Sequence, residues 1–170
     1  MRIDFVNEFE LTESMQKQVA QLLCMCFPET YNEGKPLHYF KQLPNYRLLL
    51  TRDEVLIGQM GIDYRVMSLN NKPITVFGVI GITIHPDYQG KGYGTTLMQE
   101  YINIAINHKY NIDFLFLVTD KPAFYERMGF LKTNPKVTWM KIHKGTTHSI
   151  GHEQIDDSYF MYKNISGKKW

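Results

Sequence analysis

The chain has 170 residues, 44% of them hydrophobic and 21% charged, which fits one folded domain with a substantial core and excludes global disorder. Nineteen lysines and arginines against seventeen acids leave a net charge of +2, too little to hold a nucleic acid or an anionic membrane by charge alone. No apolar run approaches the ~18 residues of a membrane-spanning helix. Residues 1–8 lack the apolar stretch of a secretory leader, so the expectation is a cytoplasmic protein without nucleic-acid or membrane partners. Cys24 and Cys26 are too close together for Cys-x-x-Cys chemistry. They fall on an apolar helical stripe, which reads as a pair of reduced core residues.

In chain order, residues 2–6 alternate polar and apolar side chains as a half-buried strand does. Thr12 is placed to cap a helix in which Met15, Val19, Leu22, Leu23 and Cys26 recur at helical spacing until Pro28 ends it. Residues 29–44 contain Asn32, Gly34, Pro36 and Pro44 and read as a loop with a short helix near 37–43. Three β-rich runs, 46–51, 55–69 and 73–84, are separated by Arg52-Asp53-Glu54 and Asn70-Asn71-Lys72, the pattern of an antiparallel meander. A helix over 93–108 has an apolar stripe of Leu97, Met98, Tyr101, Ile102, Ala105 and Ile106. Residues 114–118 form a short continuous apolar strand, buried on both faces. A short helix over 122–128 closes at Gly129, strands follow at 136–142 and 159–163, and the polar stretch 144–157 between them reads as a loop. There is no repeat or linker. The order β-α-βββ-α-β-α-ββ predicts one α+β domain over residues 1–170 around a mixed sheet.

The chemistry concentrates where the third β-rich run gives way to the second long helix. Gln89-Gly90-Lys91-Gly92-Tyr93-Gly94 separates Ile82-Thr83-Ile84-His85-Pro86 from the helix. Glycines let an anion approach the backbone, and the first amides of a helix are unpaired and aligned with its dipole. Hydrogen bonds to charged groups contribute ~1.5–3 kcal/mol each, so three or four such amides hold a pyrophosphate firmly, with Gln89 and Lys91 as added side-chain donors. A nucleotide P-loop needs Gly where His85 stands and Ser or Thr where Gly92 stands. A dinucleotide fingerprint starting at Gly92 meets Leu97 in place of its third glycine, after a meander rather than at the start of a βαβ unit.

The pattern Gln/Arg-x-x-Gly-x-Gly/Ala after such a strand resembles the acetyl-CoA site of the GNAT N-acetyltransferase superfamily. That resemblance implies a single GNAT-type domain, a mixed and mostly antiparallel sheet flanked by helices, with acetyl-CoA as co-substrate and no metal. It implies that the backbone of Gly90, Lys91, Gly92, Tyr93, Gly94 and Thr95, beside Gln89, holds the pyrophosphate. It also implies that Ile82, Thr83 and Ile84 pair with the pantetheine arm, and that the Ile82 or Ile84 amide receives the oxyanion. Asp120-Lys121-Pro122-Ala123-Phe124-Tyr125-Glu126-Arg127-Met128-Gly129-Phe130 is similar to the family's second CoA-facing element. There the tyrosine at the place of Tyr125 protonates the departing thiolate, and a phenol with pKa near ~10 is a suitable donor to a thiolate whose acid is near ~8.5.

The expected reaction is direct acetyl transfer to a primary amine of a small molecule, with a homodimer compatible with the family. The central strand reads Phe77-Gly78-Val79-Ile80-Gly81-Ile82, without the glutamate base that several branches of the family use. His85 precedes Pro86 at the CoA end of that strand and is a poor substitute. A weaker resemblance is to aminoglycoside 2′-N-acetyltransferases, whose late acidic cluster and final tryptophan bind the amino-sugar. It makes Asp156, Asp157 and Trp170 candidate acceptor contacts, although Ile80 stands where that branch has a glutamate. Tyr31, Glu33, His38 and Tyr39 in the early loop, and Asp63 and Arg65 on the long strand, are further pocket candidates. His143, His148 and His152 read as loop residues, and no metal site is expected. From another functional class, the alternative is a CoA-binding sensor or interaction module that does not turn over.

Overall fold

The computed structural model describes residues 1–31, 37–40, 42–107, 111–143, 146–153 and 159–170, with backbone alone for 139–143, 146–149 and 152–153. Its elements are β1 (Arg2–Asn7), α1 (Glu13–Cys26), β2 (Tyr46–Arg52), β3 (Val55–Leu69), β4 (Lys72–Ile84), α2 (Tyr93–Asn107), β5 (Phe114–Thr119), α3 (Pro122–Glu126), β6 (Leu131–Thr133), β7 (Val137–His143), β8 (Thr146–Glu153) and β9 (Tyr159–Asn164). Seven strands form one sheet in the order β1-β2-β3-β4-β5-β9-β6, and β7 and β8 pair separately. Among the described residues only the β4–β5 pairing is parallel. The expected α+β architecture, a mixed and mostly antiparallel sheet with helices on its faces, is therefore present.

Local chemistry sets most of these boundaries. Thr12 accepts a hydrogen bond from the Met15 amide and caps α1. Asp53 and Glu54, and then Asn70 and Asn71, all have positive φ. Two consecutive residues of that kind make the tight turn whose twist matches a hairpin, and so β2, β3 and β4 run as a meander.

Two expectations fail, and one further strand has no sequence signal. The stretch 144–157, read as a loop, contains β8, which pairs antiparallel with β7 from Val137↔Glu153 to His143↔Thr146, with a register shift between Lys141 and Ile142. Its sequence, Thr-Thr-His-Ser-Ile-Gly-His-Glu, has no apolar alternation to reveal a strand. Strand β6 is three residues long and too short to show a period. No helix forms among the described residues of 37–43, where Phe40 and Gln42 make an isolated bridge and the Gln42 amide donates to the Phe40 carbonyl at 2.7 Å. His148 and His152 consequently lie on a strand rather than in a loop.

The sheet is covered on both faces. On one, α2 packs Leu97, Met98 and Tyr101 against Phe77, and the Tyr101 hydroxyl donates to the Phe77 carbonyl at 2.7 Å. On the other, Val19, Leu22 and Leu23 of α1 meet Leu49 and Leu56. Cys24 is buried and both cysteines are free thiols.

Two polar constructions fix the centre. Asp113 precedes β5; its carboxylate accepts from the Thr75 amide at 2.9 Å and from the Lys168 ammonium at 2.8 Å, and its amide donates to the Thr75 carbonyl at 2.8 Å. Burial opposes its charge, but Lys168, Thr75 and Ser166 outweigh burial and hold the carboxyl below the ordinary aspartate value. The clamp joins β4 to β5 at the start of their contact. The second construction crosses the α1 face. Arg47, 2% exposed, donates through Nε to Glu8 at 2.7 Å and through Nη1 to Gln59 at 2.7 Å. Its Nη2 reaches the other Glu8 oxygen at 3.1 Å. Glu8 is 5% exposed and Gln59 fully buried. Removing one member of a buried ion pair typically costs about 3–5 kcal/mol, because the survivor is left charged and dry. Arg47→Met should lose that much in urea unfolding, and Glu8→Leu in the same chain should restore most of it.

Candidate functional site

β4 and β5 run side by side over three register pairs, Val76↔Phe114, Phe77↔Leu115 and Gly78↔Phe116. Beyond Gly78 they part, and among the described residues no strand pairs with the β5-side edge of 79–84. The other edge stays on β3 but is not regular. Between Gln59↔Thr83 and Gly61↔Ile80, the two residues Gly81 and Ile82 stand opposite Met60 alone. Gly81 absorbs this bulge with φ +56°. Its carbonyl accepts from Gln59 Nε2, which also donates to Thr83 Oγ1 at 3.1 Å. In a trans peptide the N–H points opposite to the C=O. The buried Glu8–Arg47–Gln59 chain therefore fixes the direction of the Ile82 amide.

From the end of β4 the chain enters a 3₁₀ turn at Pro86–Tyr88. His85, singled out in the sequence, caps that turn: its Nδ1 accepts from the Asp87 amide at 3.3 Å. Gly90 and Gly92 follow with φ of +72° and +85°, and a Cβ at either would meet nothing within 4 Å. These two glycines are needed for backbone conformation and leave the space above them open. Gly94 has a different task, as a Cβ there would touch the Phe124 ring at 3.6 Å. The first internal bond of α2 runs from the Thr96 amide to the Gly92 carbonyl at 3.0 Å. The amides of Tyr93, Gly94 and Thr95 precede it and have no intrahelical acceptor, and glycine as the capping residue offers no side chain to meet them. Side-chain donors contribute less than the sequence suggests. Gln89 Nε2 donates back to the Ile84 carbonyl at 2.9 Å, and Lys91 Nζ to the Asp87 carbonyl at 2.8 Å. What remains is a rigid loop whose free donors are backbone amides beside a helix N-terminus, a fit for a diphosphate.

Tyr125 lies on α3, just after β5 ends, and is 7% exposed. Its ring packs on Phe124 at 4.9 Å and Phe130 at 6.0 Å. Burial raises its pKa, only partly offset by a hydrogen bond with Thr119, and Asp120 raises it further, so the phenol stays protonated above the usual range. On the α1 face, a gap of about 10 Å³ beside the bulge is lined by Tyr31, His38, Arg47, Gln59 and Gly81. Burial lowers the His38 pKa, Glu8 acting against it and Arg47 with it, while burial raises that of Tyr31.

The late candidates divide. Asp156 and Asp157, like Glu33 in the early loop, lie outside the described residues. Trp170 stacks on Tyr162 at 4.4 Å, meets Phe114 edge-on at 5.2 Å, and donates from Nε1 to Thr133 Oγ1 at 2.9 Å. Its ring is thereby fixed on the sheet. Among the described residues no group of three His, Cys, Asp or Glu could hold a metal ion, and no helix is long and apolar enough to cross a membrane. Sequence reasoning missed Gln59 and Gly81 as parts of the site. The available signal was a lone amide side chain inside the apolar run Leu56-Ile57-Gly58-Gln59-Met60.

Comparison with known proteins bears on the family and the fold. The family model described as acetyltransferase (GNAT) family matches residues 17–130. The chain belongs to the GNAT acetyltransferase family. It is 34% identical over 68 residues to an uncharacterized N-acetyltransferase, ycf52, of Porphyra purpurea, a match spanning 40% of this chain and 37% of that protein. In fold it is similar to an aminoglycoside 6′-N-acetyltransferase complexed with coenzyme A, with a TM-score of 0.65 and 13% identity over 99% of each chain. It is also similar to Arabidopsis thaliana NAA60 in complex with a bisubstrate analogue, with a TM-score of 0.63 and 16% identity over 98% of this chain and 100% of that one. Gly92→Val would force a β-branched residue to φ +85° and place methyl groups over the cradle. Calorimetry should show acetyl-CoA binding weakened ~10-fold or more, about 1.4 kcal/mol or above.

Proposed function

We propose that the chain transfers an acetyl group from acetyl-CoA to a primary amine of a small molecule by direct attack. The observation that carries this reading is the continuity of the β5-side edge of residues 79–84 with the open amides at the start of α2. Together they offer an extended hydrogen-bonding edge ending in an anion cradle, which matches the outline of a pantetheine arm and its diphosphate. The co-substrate supplies an activated acyl group. The chain's part is to hold it, to aim the Ile82 or Ile84 amide at the developing oxyanion, and to supply a proton to the leaving sulfur.

The balance of the reaction is simple. The neutral amine nitrogen forms a bond to the acetyl carbon, the carbon–sulfur bond breaks, the thiolate takes the Tyr125 proton, and the proton that the nitrogen sheds as the amide forms returns Tyr125 to the phenol. A primary alkylamine arrives protonated at neutral pH and has to lose a proton before attack. The gap beside the bulge has room for one water to receive it. Tyr125 suits its role because burial keeps the phenol neutral, and a positioned general acid contributes ~10²–10⁴ in rate.

Thiol release from acetyl-CoA across a panel of primary amines tests the reading. Release with at least one amine is the expected result, and cofactor binding with no release over the whole panel would make the chain a sensor. With an active acceptor in hand, Tyr125→Phe should lower kcat ~10²-fold or more with the KM for acetyl-CoA nearly unchanged. An unchanged kcat would remove the general-acid role.

A further inference from the structure

Four residues of four adjacent strands lie in one register row: Asp63 of β3, Gly78 of β4, Phe116 of β5 and Tyr162 of β9. Residues in register project to the same face of a sheet, and neighbouring strands are ~4.8 Å apart. The row thus reads as a carboxylate, a gap without a side chain, and two aromatic rings. Gly78 is only half-buried although it lies in the middle strand of a seven-stranded sheet. A Cβ on it would stand 3.6 Å from the Asp63 Cβ, so any larger residue would fill the slot. The far wall is firm: Phe116, itself half-buried, stacks with Trp170 at 6.1 Å and Phe160 at 5.6 Å. The slot sits at the last register pair before β4 and β5 part.

Asp63 is 8% exposed. Its Oδ2 accepts from Gln42 Nε2 at 3.2 Å and is paired with Arg65. Its Oδ1 is shut away from solvent and has no hydrogen-bond donor among the described residues. A buried carboxylate oxygen in that state forfeits a charge-assisted bond, and a ligand that supplies an N–H recovers it. We infer that this row is the acceptor subsite and that it takes an alkylammonium group, the cation on Asp63 Oδ1 and its apolar body along Phe116. An ammonium offers three donors and is favoured by an aromatic wall, whereas a carboxylate or phosphate would meet repulsion from Asp63. The inference rests on the amine-acceptor reading above and names the chemical class of that acceptor. Arg65, whose side chain is about half exposed, pairs with Asp63 from the solvent side.

The test is a ¹H–¹⁵N titration of the full chain with n-hexylammonium chloride, read at the Gly78 amide, with sodium hexanoate as the anionic counterpart. Saturable shifts with the ammonium and none with hexanoate are expected. Asp63→Asn, which keeps the side-chain shape, should weaken ammonium binding at least 10-fold. Gly78→Ala, whose added Cβ meets only ordinary contact distances, should weaken it through a second route. No ammonium binding by the unaltered chain, or equal binding in both variants, overturns the inference. Asp63-dependent binding without thiol release from any amine sustains it and removes the transferase reading. Transfer to cationic amines with an unchanged KM in Asp63→Asn does the reverse.

Discussion

Every peptide group of a strand needs a partner, and among the described residues β4 has strand partners on its β5 side for only three residues. The departure of β5 after Gly78 converts an interior strand into an edge, and an edge strand is a template for anything extended that carries complementary donors and acceptors. Two features hold the edge in place. The Asp113 clamp sets where the strands meet, and the sheet on the β3 side, pinned by the Arg47–Gln59 chain, keeps β4 from following β5. The glycine loop then prolongs the same edge into the start of α2. The anion cradle and the strand edge are therefore one continuous surface rather than two sites.

The glycines within this surface differ in purpose. Gly81 allows the bulge, Gly90 and Gly92 allow left-handed backbone under open space, and Gly94 lets α2 approach the Phe124 ring. Gly78 leaves a slot beside Asp63. A glycine-rich strand and loop would ordinarily be loose, since glycine loses the most freedom on folding. Here the side chains around them supply rigidity: Gln59 on the Gly81 carbonyl, Gln89 on the Ile84 carbonyl and Lys91 on the Asp87 carbonyl.

Much of this was legible in the sequence where one residue type had one physical meaning. The helical spacing of apolar residues in α1 and α2, the turn residues at 53–54 and 70–71, and the glycines from 90 to 94 each carried their own signal, and the elements form where those signals place them. The β7–β8 hairpin was not legible, because strand β8 is polar throughout most of its length and is defined by its partner rather than by a buried face. The bulge was equally hidden. A register shift depends on two strands at once, and neither Gly58-Gln59-Met60-Gly61 nor Ile80-Gly81-Ile82 reveals it alone. Gln89 and Lys91 had the right chemistry for a diphosphate but are turned back on the loop, a matter of backbone path that spacing does not encode. Asp63 was legible as a polar residue of the long strand, but the side-chain-free position beside it on β4 shows only in the register.

The most direct measurement is a crystal structure of the chain grown with coenzyme A. The account predicts the diphosphate within hydrogen-bonding distance of the amides between Gly90 and Thr95, with the pantetheine arm along Ile82, Thr83 and Ile84. Coenzyme A lodged on another surface, or absent from the cleft at millimolar supply, would contradict it.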